Sequence, residues 1–186
     1  MTKMNEYWLV LFLIVLLFGF IREGPFILIY YTMWTFILEI VFLTLLVTKR
    51  KQFARKIFPF IYAPAVVVCI GFWTIIAPQA TSAPISNIVL TIVVHGINAI
   101  ALITQPFKIY TTDLWKSVTY TFIYNLFLAI YVGKGGRSIS GKLPYWYAQY
   151  DKPIGWIFAG LALVSVAVVH ILSTAQTPKK TKSIIV

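Results

Sequence analysis

A threonine and a histidine in separate apolar segments are the residues of this 186-residue sequence best suited to chemistry. A hydroxyl beside an imidazole is the minimal nucleophile–base pair, because histidine can take the proton that makes the alcohol nucleophilic. Counted from the ends of their segments, Thr32 and His95 differ in depth by only roughly 5 Å at a rise of ~1.5 Å per residue. The two side chains can therefore approach each other if the segments pack together.

Each of these residues belongs to a polar face of a predicted helix. The first face has the spacing i, i+3, i+7 and comprises Thr32, Thr35 and Glu39. The second has the spacing i, i+4, i+8, i+11 and comprises Asn87, Thr91, His95 and Asn98. Polar groups are expensive in hydrocarbon, so they need partners or a function. We expect Asn98 or Thr91 to orient the imidazole or stabilise an oxyanion. Two structural interpretations remain open: Thr32 bonds to its own helix, and Glu39 is a protonated or paired carboxyl.

The remaining polar residues indicate neither a metal nor a cofactor. His170 lies near the end of the last apolar segment without a polar face around it, so we interpret it as structural or interfacial. No His, Cys or Glu residues have the spacing of metal ligands. The aromatic stretch Leu143–Asp151 lies on the same side as Thr32 and His95, where it could cap an opening between the helices.

The composition requires that these residues lie in a membrane protein. Hydrophobic residues make up 60% of the chain and charged residues 11%, with a mean hydropathy of +0.85. Soluble domains are about 45–50% apolar and about 25% charged. We therefore predict an all-α bundle of six transmembrane helices in a single domain, followed by a basic tail at 174–186. The predicted spans are 7–21, 25–47, 57–77, 85–103, 114–131 and 153–173.

The first segment resembles a signal peptide because it follows Lys3 and is short. Gly19-Phe20-Ile21 is not a small-x-small cleavage site, so we expect a retained first span. A five-span arrangement with this segment in the interface remains open.

The basic residues, which give a net charge of +11, predict the topology. With six spans, one side carries eleven basic residues and the other five. The eleven are Lys3, Lys49, Arg50, Lys51, Arg55, Lys56, Lys108, Lys116, Lys179, Lys180 and Lys182; the five are Arg22, Lys134, Arg137, Lys142 and Lys152. This bias places both termini on the cytoplasmic or equivalent side. Topology and contact with anionic bilayer lipid explain the charge, so we do not expect nucleic acid as a partner.

Four short motifs resemble a known family over roughly residues 26–173. They are Tyr31-Thr32, the stretch Ala63–Ile75, His95-Gly96, and Leu143-Pro-Tyr-Trp-Tyr before the last segment. Their order and spacing are similar to the androgen-induced-gene family of multi-span membrane proteins, which includes the androgen-dependent tissue-factor-pathway-inhibitor regulating protein.

The resemblance implies a membrane threonine hydrolase that cleaves fatty acid esters of hydroxy fatty acids. The family's catalytic threonine and histidine match Thr32 and His95. Thr35 departs from the pattern, because some relatives carry an acid there; Glu39, one turn further on, could substitute for it. The loops and termini are also shorter here.

Three functions from different classes are compatible with these observations. The first is a lipid ester hydrolase acting on such lipids, with Thr32 as nucleophile and His95 as base. The second is a non-catalytic subunit of a larger membrane complex, suggested by the small size and the aromatic residues. The third is a small transporter that uses Glu39 and the polar face, although no paired charges or inverted repeat support it.

Overall fold

The computed structural model describes residues 2–76, 91–138 and 140–175, and this part of the chain is all-helical, without a strand. We number six α-helices: α1 Thr2–Glu23, α2 Tyr31–Val47, α3 Lys51–Gly71, α4 Asn98–Ile103, α5 Leu114–Gly133 and α6 Pro153–Ala175. Short 3₁₀ turns cover Gly24–Ile29 and Thr111–Asp113, and π-helical turns cover Phe72–Ile76 and Val93–Ile97.

Three of the described helical stretches are long and apolar enough to cross a membrane, namely Lys3–Ile29, Lys51–Thr74 and Pro153–Ala175. Two further apolar helices, Tyr31–Val47 and Val93–Ile103, are shorter. The first stretch extends beyond the predicted 7–21 at both ends, which removes the objection that it is too short to span.

The predicted span 25–47 is interrupted rather than continuous. Gly24 has a positive φ of 57° and Pro25 lies in the first turn of the 3₁₀ segment. Tyr30 is then extended, with φ −94° and ψ 132°, so α2 starts at Tyr31. The consequence is a helix N-terminus one residue before Thr32.

Side chains satisfy the carbonyls that this break releases from helical bonding. The indole Nε1 of Trp34 donates to the Leu28 carbonyl at 2.7 Å, and the Tyr124 hydroxyl donates to the Ile29 carbonyl at 2.7 Å. A break at membrane depth is tolerated where the freed backbone groups are bonded within the protein. Tyr124 thus ties α5 to the start of α2.

A polar face on α5 connects it to its neighbours. Its buried residues Ser117, Thr121, Tyr124 and Leu128 recur at i, i+4, i+7 and i+11, which is one side of a helix. Thr121 lies 2.7 Å from the Tyr31 hydroxyl. Sequence analysis assigned polar faces to only two segments, and this third one was missed.

The fourth predicted span, 85–103, is described from Thr91 onward, so Asn87 lies outside the described residues. The described part contains the π turn Val93–Ile97 before α4. A π turn adds about one residue to a helical turn. The regular α-helical face assumed from the sequence is therefore interrupted at His95.

Candidate active site

Thr32 and His95 are brought into contact by α2 and the π turn before α4. Thr32 Oγ1 lies 3.3 Å from His95 Nε2. Thr32 is the second residue of α2 and is buried, whereas His95 is half-buried. The pair is within reach of a proton transfer from the hydroxyl to the ring, which is the first requirement for nucleophilic catalysis.

The second ring nitrogen fixes the tautomer of His95. Nδ1 lies 3.1 Å from the main-chain carbonyl of Thr91, four residues earlier. A carbonyl oxygen can only accept, so Nδ1 carries the proton and Nε2 presents its lone pair to Thr32. The backbone thus supplies the orientation that a carboxylate supplies in other triads. Thr91 makes this contact through its main-chain carbonyl.

An aromatic ring holds the imidazole in place. Phe72 stacks on His95 with 3.9 Å between ring centroids and 27° between planes. Phe72 begins the π turn that ends α3, and His95 lies in the other π turn, so the two irregular segments meet at the site. Single π turns occur often at functional sites. Sequence analysis did not single out Phe72 individually.

Thr32 and His95 line a cavity of about 660 Å³. Its wall includes apolar residues from α3 and α6, such as Val67, Val68 and Leu161. Arg22 and Glu23 also line it, and they form an ion pair at 3.3 Å. The wall of the cavity is therefore mostly apolar and includes one charged pair.

The aromatic loop before α6 forms part of this cavity, as its position on the same side suggested. Pro144, Tyr145 and Tyr147 line it. Tyr147 stacks on Phe158 of α6 at 4.6 Å and on Tyr145 at 5.1 Å. Aromatic packing thus fixes the loop against α6, and the Tyr145 hydroxyl accepts a hydrogen bond from the Tyr31 N–H at 3.0 Å.

Of the other candidate residues described, Thr91 lines the cavity, whereas Thr35, Glu39 and Asn98 do not. Thr35 is buried and donates to the Tyr31 carbonyl at 3.1 Å, the local bond expected of a membrane threonine. Glu39 is fully buried and neither carboxyl oxygen has a hydrogen-bond partner within the described residues. Asn98 Oδ1 accepts from the Ala99 N–H at 2.7 Å, and its buried Nδ2 lacks a partner in the same part of the chain.

Neither Glu39 nor Asn98 lines the cavity beside Thr32. The expectations that Asn98 orients the imidazole or binds an oxyanion, and that Glu39 replaces an acid at Thr35, receive no support from these positions. Because the π turn precedes Asn98, its side chain does not continue the face that carries His95.

A second hydroxyl–imidazole pair is sealed inside the protein. Ser117 Oγ lies 2.9 Å from His170 Nδ1, and His170 Nε2 lies 2.9 Å from the Tyr110 carbonyl. Both side chains have no exposed surface and neither lines the cavity. A substrate cannot reach this pair, and its burial favours the structural over the interfacial interpretation of His170.

The described residues contain no cluster of three or more His, Cys, Asp or Glu side chains that could hold a metal ion. Comparison with protein-family profiles, with curated proteins and with solved structures found no match for this chain.

Proposed function

We propose that this protein is a membrane-embedded lipid ester hydrolase with Thr32 as nucleophile and His95 as general base. The observation that carries the proposal is the 3.3 Å approach of Thr32 Oγ1 to the unprotonated nitrogen of His95 inside a largely apolar cavity. Fatty acid esters of hydroxy fatty acids, or similar bioactive lipids, are the proposed substrates because of the family resemblance at these two residues.

The reaction proceeds in two halves. Thr32 Oγ attacks the acyl carbon while His95 Nε2 takes its proton; the intermediate then expels the alcohol, which receives that proton from His95. A water molecule attacks the acyl-threonine in the same manner and releases the fatty acid. The apolar wall of α3 and α6 holds the acyl chain, while the end with Arg22 and Glu23 accommodates the polar part of the lipid.

Covalent labelling tests the nucleophile. Thr32→Ala is expected to abolish labelling of the purified protein by an acyl-reactive lipid ester probe, because the attacking oxygen is gone. Thr44→Ala is a matched control: it removes a hydroxyl from the same helix that donates only to the Ile40 carbonyl at 2.8 Å. Undiminished labelling of Thr32→Ala would overturn the hydrolase and leave a non-catalytic membrane subunit as the better interpretation.

We further propose that all six predicted segments cross the membrane, with both termini on the cytoplasmic or equivalent side. The three long apolar helices support the membrane location. α5, with 20 residues, reaches about 30 Å at ~1.5 Å per residue, and its buried hydroxyls bond inside the bundle. α2 has 17 residues and gains length from the preceding 3₁₀ turn.

Cysteine accessibility tests this topology. In a Cys69→Ser background, Lys51→Cys and Lys142→Cys are expected to react with an impermeant maleimide from opposite sides of sealed vesicles, since they lie in loops of opposite predicted side. Detergent should make both reactive, which controls for burial. Labelling of both from the same side would contradict the six-span arrangement.

A further inference from the structure

We propose that the Tyr145 hydroxyl and the main-chain N–H of Thr32 together form the oxyanion hole of this site. The inference rests on the proposed hydrolase function and adds to it a residue of the loop before α6. When Thr32 Oγ bonds to the acyl carbon, an electron pair of the C=O bond moves onto the carbonyl oxygen. Donors must already point at the position where that charge develops.

Tyr145 is placed beside the nucleophile by a bond to the residue before it. Its oxygen accepts the N–H of Tyr31, the residue before Thr32, at 3.0 Å. Accepting from an N–H strengthens the O–H as a donor, because bonds in a chain polarise one another. Tyr145 also lines the cavity that Thr32 and His95 line.

The proton of Tyr145 is free to turn toward a substrate oxygen. The neighbouring Tyr124 donates its own proton to the Ile29 carbonyl at 2.7 Å. No carbonyl or carboxylate within the described residues accepts the Tyr145 proton. Burial raises the pKa of Tyr145 to about 12, so the phenol keeps its proton throughout the neutral range.

The Thr32 N–H is the second donor because of the helix break. In the first turn of α2, the Tyr31 N–H bonds to Tyr145, while the Met33 and Trp34 N–H groups donate to the Tyr30 carbonyl at 3.0 and 3.3 Å. The Thr32 N–H alone in this turn has no acceptor among the residues described. A helix N-terminus also favours the negative charge of the intermediate.

Asn98 and Tyr145 are the two side chains to compare as donors to the oxyanion. Asn98 has an unpartnered buried amide nitrogen among the described residues, which fits the oxyanion role by chemistry, but it does not line the cavity. Tyr145 does line it and bonds to the main chain of the residue before the nucleophile. The oxyanion donor therefore comes from the aromatic loop rather than from the helix that carries His95.

Removing one phenolic oxygen tests the proposal. Tyr145→Phe is expected to lower kcat for a lipid ester by about 10²–10³-fold with little change in KM, because the donor acts in the transition state. The ring keeps its packing against Tyr30 and Tyr147, with centroids 5.7 and 5.1 Å away. Tyr150→Phe is the matched control, since it removes a hydroxyl from the same loop outside the cavity, and it should keep wild-type kcat.

The ratio of the hydrolysis rates of an ester and the matching thionoester is a measurement that a partial loss of folding does not change. Sulfur accepts hydrogen bonds poorly, so wild type should hydrolyse the ester much faster than the matching thionoester, and Tyr145→Phe should reduce that ratio. The ratio is independent of the folded fraction, because both rates come from one preparation. Equal wild-type rates, or an unchanged kcat and ratio in Tyr145→Phe, would overturn the assignment.

The same series separates this inference from the proposed function. If ester turnover by wild type does not depend on Thr32, the hydrolase itself fails, and with it the oxyanion hole. If turnover is lost in Thr32→Ala but persists at the wild-type rate and ratio in Tyr145→Phe, the hydrolase stands and only the role of Tyr145 is wrong.

Discussion

His95→Gln is expected to lower the rate of Thr32 acylation by about 10²–10⁴-fold, the range that a general base supplies, while the protein stays folded. Glutamine fills much of the imidazole volume and can still donate to the Thr91 carbonyl, which lies 3.1 Å from Nδ1 in wild type. It cannot take the Thr32 proton. The chemistry is therefore removed with little change in packing against Phe72.

Single-turnover kinetics with a chromogenic lipid ester measure this loss, and a melting curve in detergent measures the fold. The double variant Thr32→Ala/His95→Gln should be no slower than Thr32→Ala alone, because residues that act as a unit are not additive. A His95→Gln rate within about threefold of wild type would exclude His95 as the base, since a general base supplies at least about 10²-fold. Additive losses would show that the two residues act in separate steps.

The residues of the candidate pair could be selected from the sequence because they break an apolar background. Thr32 and His95 are polar groups in segments made mostly of Ile, Val, Leu and aromatic residues, and their depths match. Their 3.3 Å contact could not be predicted, because it depends on the π turn at Val93–Ile97 and the break at Tyr30. Both irregularities are stabilised by tertiary contacts.

The break before α2 shows why such features escape sequence analysis. Arg22-Glu23-Gly24-Pro25 is a turn signal that separates the first two predicted spans, but the apolar run after it contains no signal that would start a new helix at Tyr31. The extended Tyr30 persists because Trp34 and Tyr124 bond to the freed carbonyls. One of those partners is almost a hundred residues away, so local propensity carries no information about it.

The polar face of α5 could have been found, whereas the displacement of Asn98 could not. Ser117, Thr121 and Tyr124 have a clear helical spacing, but Ser, Thr and Tyr are common in apolar segments and do not by themselves indicate a polar face. Asn98 was placed on the face of His95 by assuming a regular helix with about 100° per residue. The π turn adds about one residue, which rotates the side chains after it by about 100°.

Substitution of His170 is expected to have the opposite effect to substitution of His95: it should lower the stability of the protein and leave the chemistry at Thr32 unchanged. Its ring joins three parts of the bundle: Nδ1 lies 2.9 Å from Ser117 on α5, and Nε2 donates to the Tyr110 carbonyl at 2.9 Å. Ser117 Oγ also lies 2.5 Å from the Pro59 carbonyl on α3, so its single proton is shared between that carbonyl and Nδ1. The cluster is fully buried and separate from the cavity.

His170→Leu is expected to lower the free energy of unfolding by about 1–3 kcal/mol, because the Tyr110 carbonyl loses its donor in a buried place. Ser117→Ala should cost less, about 0.6 kcal/mol, the average for a side-chain hydrogen bond between membrane helices. Thermal melting should show a fall of roughly 2–4 °C for each kcal/mol.

Labelling of Thr32 in the folded fraction should remain at the wild-type level in His170→Leu, whereas His95→Gln should lose labelling and keep its melting temperature. Since the two histidines each contact a hydroxyl oxygen and a backbone carbonyl, residue type and hydrogen-bond partners do not distinguish them. Access to the cavity distinguishes them, because His95 lines the cavity and His170 does not. A variant of His170 that melts like wild type but fails to label would reverse the assignment and make the buried Ser117–His170 pair the reactive one.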